Sequence, residues 1–203
     1  MAESVAYNMD CMKYMSSLPD KAFDLAVVDP PYGISITDSG RLKKYNANKQ
    51  RWDDKTPDKK YFDELFRVSK DQIIWGGNYF NLSPTRCFLI WDKQQPEDVS
   101  FASCEFAWTS FDQSAKTFYY SMLRDKDFRF HPTQKPVALY AWIFSHYAKP
   151  GYKILDTHLG SGSSRIAAHD AGLDFVGCEI DNDYFKAQEE RFAAHSAQLR
   201  IDP

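Results

Sequence analysis

An α/β fold with a doubly wound, mostly parallel sheet is predicted by three features of the sequence. Short apolar runs recur and end in breaker-rich loops: Asp24 to Val28 before Asp-Pro-Pro, Gln72 to Trp75 before Gly76-Gly77, and Cys87 to Trp91 before Asp-Lys-Gln-Gln-Pro. Runs of this length suit strands buried on both faces. Between the first two, Tyr61 to Val68 places Phe62, Leu65, Phe66 and Val68 at helical spacing, as a crossover helix would. The last third then reads as strand, Gly-rich turn, helix, strand.

The remaining elements follow from the same signals. Cys104 to Trp108 is a fourth strand candidate. Pro136 to Ala148 reads as a helix with Pro in its first turn, stopped by Pro150-Gly151. Tyr152 to Leu155 is the next strand, Asp156 to Gly162 the turn, Ser163 to Ala171 a helix closed by Gly172, and Phe175 to Cys178 another strand. From Asp183 the chain is a Lys/Gln/Glu/Arg-rich helix carrying Tyr184, Phe185, Ala187, Phe192 and Ala193. A nucleotide-binding unit that starts at residue 152 needs a third strand, and none follows that helix. Val5 to Tyr7 is the candidate, which makes the expected order circularly permuted relative to a fold that begins at its Gly-rich turn.

With 203 residues, one domain spanning the whole chain is expected. Hydrophobic residues at 43% and charged residues at 26% are ordinary for a globular chain and exclude general disorder. No apolar stretch approaches the roughly 20 residues that span a bilayer, and the start Met1-Ala2-Glu3 has no leader pattern, so a cytoplasmic protein without a membrane partner is expected. Cys11, Cys87, Cys104 and Cys178 stand singly, with no ligand-spaced histidine, so neither a metal site nor a disulfide framework is expected. The net charge of −3 is unevenly spread: residues 41–60 hold eight basic and three acidic side chains, +5, which leaves −8 elsewhere. Such a run is either a solvated face or a phosphate-binding loop, and only its position can decide.

That position is directly after Asp29-Pro30-Pro31-Tyr32, a tetrapeptide expected by chance on the order of once per thousand chains of this length. It could be no more than a rigid turn capped by Asp. Chemistry supplies another reason. An exocyclic amine on a nucleobase has its lone pair delocalised into the ring, so methylating it needs acceptors where its N–H bonds point as nitrogen becomes tetrahedral. Asp29 offers a carboxylate, Pro30 a carbonyl on a backbone stiffened by Pro31, and Tyr32 a flat ring on which an extruded base can stack.

Asp156-Thr157-His158-Leu159-Gly160-Ser161-Gly162 joins a strand to a helix, where glycines let the backbone turn tightly against a ligand. Glu179, 17 positions beyond Gly162, ends the next strand where an acidic side chain accepts from ribose hydroxyls. Arg165 stands where a dinucleotide fingerprint has its third glycine, so the pair indicates an adenosine moiety without a dinucleotide. In His131-Pro132-Thr133-Gln134-Lys135-Pro136, just ahead of a helix, Thr133, Gln134 and Lys135 could hold an anionic carboxylate.

With these motifs in this order the sequence resembles the β group of DNA amino-methyltransferases. The resemblance runs over nearly the whole chain: Asp10-Cys11, DPPYG at Asp29 to Gly33, WGGNYF at Trp75 to Phe80, HPTQKP at His131 to Pro136, LDTHLGSGSS at Leu155 to Ser164, and VGCEID at Val176 to Asp181. It implies the S-adenosylmethionine-dependent methyltransferase fold, S-adenosylmethionine as cofactor and double-stranded DNA as partner. It places catalysis at Asp29, Pro30, Pro31 and Tyr32. Cofactor contacts would come from Asp10 and Cys11 at the adenine, Thr133 and Lys135 at the methionine, Asp156, His158, Gly160, Ser161 and Gly162 in the turn, and Glu179 and Ile180 at the ribose end. Lys43, Lys44, Asn46, Lys49 and Arg51 become the expected DNA contacts.

Two features depart from the family. Thr157-His158 replaces the usual Pro-Phe, and only about forty residues separate Trp91 from His131, too few for the large recognition insert of many relatives. Recognition would then fall to the basic loop, to Gln94 to Arg129, or to a second copy in a homodimer. In the family an Asp as first motif residue goes with adenine N6 and a Ser with cytosine N4. Adenine is therefore expected, with cytosine N4, an RNA or protein amine, and a catalytically silent DNA-binding module as the alternatives.

Overall fold

The computed structural model describes residues 2–36, 53–96, 102–121, 124 and 129–198. Its centre is one eight-stranded sheet: β1 (Ser4–Tyr7), β2 (Phe23–Val28), β3 (Ser69–Trp75), β4 (Phe88–Asp92), β5 (Cys104–Thr109), β6 (Lys116–Tyr119), β7 (Lys153–Asp156) and β8 (Asp174–Cys178). Five helices accompany it: α1 (Cys11–Ser16), α2 (Lys59–Val68), α3 (Val137–Tyr147), α4 (Ser163–Asp170) and α5 (Asn182–Ser196). Gly77–Tyr79 forms a single 3-10 turn after β3.

The strand order is β1-β8-β7-β2-β3-β5-β4-β6. β1 pairs in parallel with β8, Ser4 opposite Phe175 and Tyr7 opposite Cys178, so the amino-terminal strand fills the place after β7 and β8 that the permuted order assigns it. From β7 the chain runs through α4 to β8 on one side, whereas from β2 it runs through α2 to β3 on the other. β7 and β2 are themselves paired, Ala26 opposite Leu155. Their carboxyl ends thus flank a topological switch point, where open α/β sheets bind ligands.

Strand alternation splits the core between the two faces. Leu25, Val27, Ile73, Trp75, Ile154 and Phe175 pack with α3 and α4 through Leu139, Ile143, Ala167 and Ala168. Ala26, Val28, Ile74, Leu155 and Val176 pack with α1 and α2 through Met15, Phe62, Leu65 and Val68. Three helix starts are capped by carboxylates: Asp10 accepts from the Met12 amide, Asp58 from Tyr61, and Asp181 from Asp183 and Tyr184.

The antiparallel pairs of this mostly parallel sheet lie in its far half. β5 runs antiparallel to both β3 and β4: only residues 93–103 join it to β4, and a parallel return needs a crossover of about a dozen residues or more. β6 and α1 carry no sequence signal: β6 is a four-residue strand of alternating exposure and α1 has six residues. Among the described residues no helix is long and apolar enough to cross a membrane.

Candidate active site

Asp29 leaves the carboxyl end of β2 directly into a network of charges. Its Oδ1 accepts from the Tyr32 hydroxyl at 2.6 Å, and its Oδ2 from the Lys135 ammonium at 2.5 Å. Lys135, only 3% exposed in its side chain, also reaches Glu105 on β5 at 2.9 Å, and Glu105 pairs with Lys93 at 2.7 Å. The result is an alternating chain of two carboxylates and two ammonium groups. Burial pushes the Asp29 carboxyl up, and Lys135 opposes that shift. For Glu105 the two lysines outweigh burial and hold the carboxyl at about 2. Lys135 also lies 5.3 Å from the Trp75 ring centroid and 5.7 Å from that of Tyr32, within cation–π range.

Tyr32 is fixed from three directions. Asp53 accepts from the Tyr32 amide at 2.7 Å, from Gly33 at 3.0 Å and from Ile36 at 3.0 Å, tying down the backbone after the two prolines. The Tyr79 ring, 45% exposed, stacks on Tyr32 at 5.0 Å and 13°. Gly76 supplies the remaining clearance: it adopts φ +71°, and a Cβ there would sit 2.2 Å from Tyr32 Cε1.

Across the switch point, Gly160 (φ +52°) and Gly162 (φ +74°) turn the chain between β7 and α4. Asp156 braces this turn, accepting from the His158 amide at 3.0 Å and the Ser164 hydroxyl at 2.6 Å, while burial pushes its carboxyl up to about 7. Ser161 lies buried in the turn, its hydroxyl 3.1 Å from that of Ser163. Glu179, at the end of β8, accepts from the Gly160 amide at 2.8 Å and from Asp181 at 2.9 Å. Asp10 stands at the end of the neighbouring β1, with Cys11 beside it. Exposed Ile180 (69%) and Tyr7 flank these carboxylates with apolar surface. Carboxylates for hydroxyls, apolar faces for a flat ring and a side-chain-free turn fit the adenosine and methionine parts of S-adenosylmethionine.

Asp29 and Tyr32 on one side, and Asp10, the Gly160–Gly162 turn and Glu179 on the other, thus follow the carboxyl ends of strands about the switch point. Thr133 sits 3.3 Å from His131 Nδ1, and the His131 ring packs 4.3 Å from that of Tyr184 and close over Gly160, which brings this motif to the Gly-rich turn. Lys135, expected at the methionine end, directs its ammonium to Asp29 and Glu105. Lys43, Lys44, Asn46, Lys49 and Arg51 lie outside the described residues. Sequence reasoning missed Asp53, Lys93 and Glu105, and gave no role to Tyr79 within its WGGNYF motif. Asp53 counts there only as an acid within a basic run, and Lys93 and Glu105 stand 64 and 76 positions beyond Asp29, outside every motif.

Comparison with known proteins places this geometry. Residues 74–190, more than half of the chain, match the family model described as DNA methylase. The chain belongs to this DNA methylase family. The type II methyltransferase M2.DpnII of Streptococcus pneumoniae is 23% identical, with 95% of this methylase and 90% of that protein covered. Among solved structures, the M1.HpyAVI–SAM complex superposes with a TM-score of 0.63 at 18% identity, covering 94% of this chain and all of that one. The cytosine-N4-specific PvuII DNA methyltransferase gives a TM-score of 0.63 at 12% identity, covering 100% and 89%. Both share the overall fold of this methylase.

Gly76→Ala tests the packing around Tyr32. The substitution is expected to cost about 1–2 kcal/mol of stability for a side chain in the left-handed region, and to displace Tyr32 so that methyl transfer falls further than the folded fraction. Urea melts and a methyl-transfer assay measure the two effects. Parental activity in the folded variant would show that the position of Tyr32 does not matter.

Proposed function

We propose that this DNA methylase methylates the N6 amine of an adenine extruded from double-stranded DNA, with S-adenosylmethionine as the methyl donor. The observation that carries the reading is the Asp29 carboxylate, held by Tyr32 and Lys135 at the lip of the crevice whose other wall is the Gly160–Gly162 turn. When bound, the cofactor supplies an electrophilic methyl group on a sulfonium centre. Gly160, Gly162, Glu179 and Asp10 would hold it, with Ile180 against its adenine.

The protein's own task is to make a poor nucleophile reactive. Asp29 accepts a hydrogen bond from the amine and so favours the tetrahedral nitrogen, and the Pro30 carbonyl offers a second acceptor. Lys135 opposes the upward push that burial exerts on the Asp29 carboxyl, and so favours its charged, accepting form. After the carbon–nitrogen bond has formed, Asp29 receives the proton lost by the methylated, cationic amine. That cation is acidic enough for a carboxylate paired with lysine to serve. The half-exposed Tyr79 ring, stacked on Tyr32, offers the open flat face for the base, and the Tyr32 hydroxyl bond to Asp29 couples that stack to the orientation of the acceptor.

Adenine is favoured over cytosine by Asp as the first motif residue, although the same acceptors would serve cytosine N4. Asp29→Asn should lower turnover by about 10²–10⁴-fold while leaving cofactor affinity by calorimetry unchanged. Mass spectrometry of nucleosides from treated DNA should give 6-methyladenine, and 4-methylcytosine alone would reverse the choice of base.

DNA contact is assigned to the basic loop. Replacing Lys43, Lys44, Lys49 and Arg51 by Gln should weaken duplex binding and reduce the salt slope by up to about four. A parental slope would move recognition to Gln94 to Arg129. Since the chain has room for little recognition surface, two copies are expected to act together, and sedimentation equilibrium should return twice the chain mass. A fully active species of single-chain mass would remove the dimer.

A further inference from the structure

The Thr157-His158 departure builds a hydrogen-bonded relay. The Tyr61 hydroxyl, on α2, lies 2.7 Å from Thr157 Oγ1, and Thr157 Oγ1 lies 2.9 Å from His158 Nδ1. Tyr61 and Thr157 are only 4% and 3% exposed. The Tyr61 ring meets the His158 ring edge-on at 5.5 Å, which holds the imidazole in place.

Counting hydrogens sets the direction. If Tyr61 donates to Thr157, then Thr157 donates to Nδ1, and both buried hydroxyl hydrogens have acceptors. Any other assignment leaves one of those hydrogens without an acceptor among the described residues. With Nδ1 an acceptor, the neutral ring carries its proton on Nε2. That nitrogen has no protein partner among the described residues, and His158 is half-buried at the head of the Gly-rich turn, within the electrostatic reach of Asp10.

We propose that His158 is a positioning residue for the cofactor, donating from Nε2–H to a lone pair of bound S-adenosylmethionine on its adenosine part. The proposal rests on the functional reading above, which makes this crevice the cofactor site. Neutrality suits the task. Burial draws the imidazole down to about 4, so near neutral pH it donates without placing a second cation beside a sulfonium. A phenylalanine in this position, as the family usually has, offers the same flat packing and no donor.

The test uses the full chain and S-adenosylhomocysteine. Nitrogen-15 spectra of the histidine ring should show Nε2 protonated and Nδ1 bare, with the Nε2 signal moving when the ligand is added. Calorimetry should find the ligand about five-fold weaker for His158→Phe and close to parental for His158→Gln, whose amide nitrogen can replace Nε2. Thr157→Val should weaken binding in the parent and leave it unchanged in the Gln background, a pattern that a merely structural role would not give. A proton on Nδ1, or parental affinity in His158→Phe, overturns the proposal and leaves the methylase reading intact. Failure of the parent itself to bind the ligand would overturn the cofactor reading, and this proposal with it.

Discussion

The parallel pairing of β2 with β7 is the constraint on which the site depends. The two strands are neighbours in the sheet, yet about 125 residues separate them in the chain, and their crossovers leave in opposite directions. Open α/β sheets place their ligand crevice at such a point, here where Asp29 leaves one strand and the Asp156 turn leaves the other. β1 completes the arrangement by pairing with β8, which brings Asp10 alongside Glu179. A permuted chain reaches the same geometry as an unpermuted one because hydrogen bonding between strands is indifferent to which of them is made first.

The catalytic side adds a second constraint, the alternating chain Asp29, Lys135, Glu105, Lys93. Its members come from the ends of β2 and β4, from β5, and from the segment before α3. Removing charges from water costs several kcal/mol per ion, recovered only if each charge meets partners in good geometry. The network therefore contributes little net stability, and its value lies in specificity. With Lys135 nearly buried, any rotation of Asp29 would cost the ammonium one of its two carboxylate partners, so the carboxylate keeps the orientation in which it also accepts from Tyr32.

Much of the fold was legible because local signals carried it. The Gly-rich turn, the helices starting near Lys59, Val137 and Asn182, and the apolar runs of β2, β3, β7 and β8 each bury a face that the sequence pattern reveals. β6 and the reversed direction of β5 were not, since strand direction depends on what lies between strands and a four-residue edge strand has no apolar pattern to read. At the site, Asp29, Tyr32, Gly160 and Glu179 were visible as motifs, whereas Asp53, Glu105 and Lys93 were ordinary charged residues until the fold enclosed them.

The sequence by itself determined that an acceptor-bearing motif and an adenosine-binding turn stand at strand ends in a permuted α/β chain. Residue type and spacing along the chain suffice for that, because each motif is contiguous. Only the tertiary structure decided which groups meet: that Lys135 pairs with Asp29, that Asp53 anchors Tyr32, and that Tyr61 reaches Thr157 across 96 positions. Those contacts join residues distant in sequence, and their energies depend on burial, which no local pattern specifies.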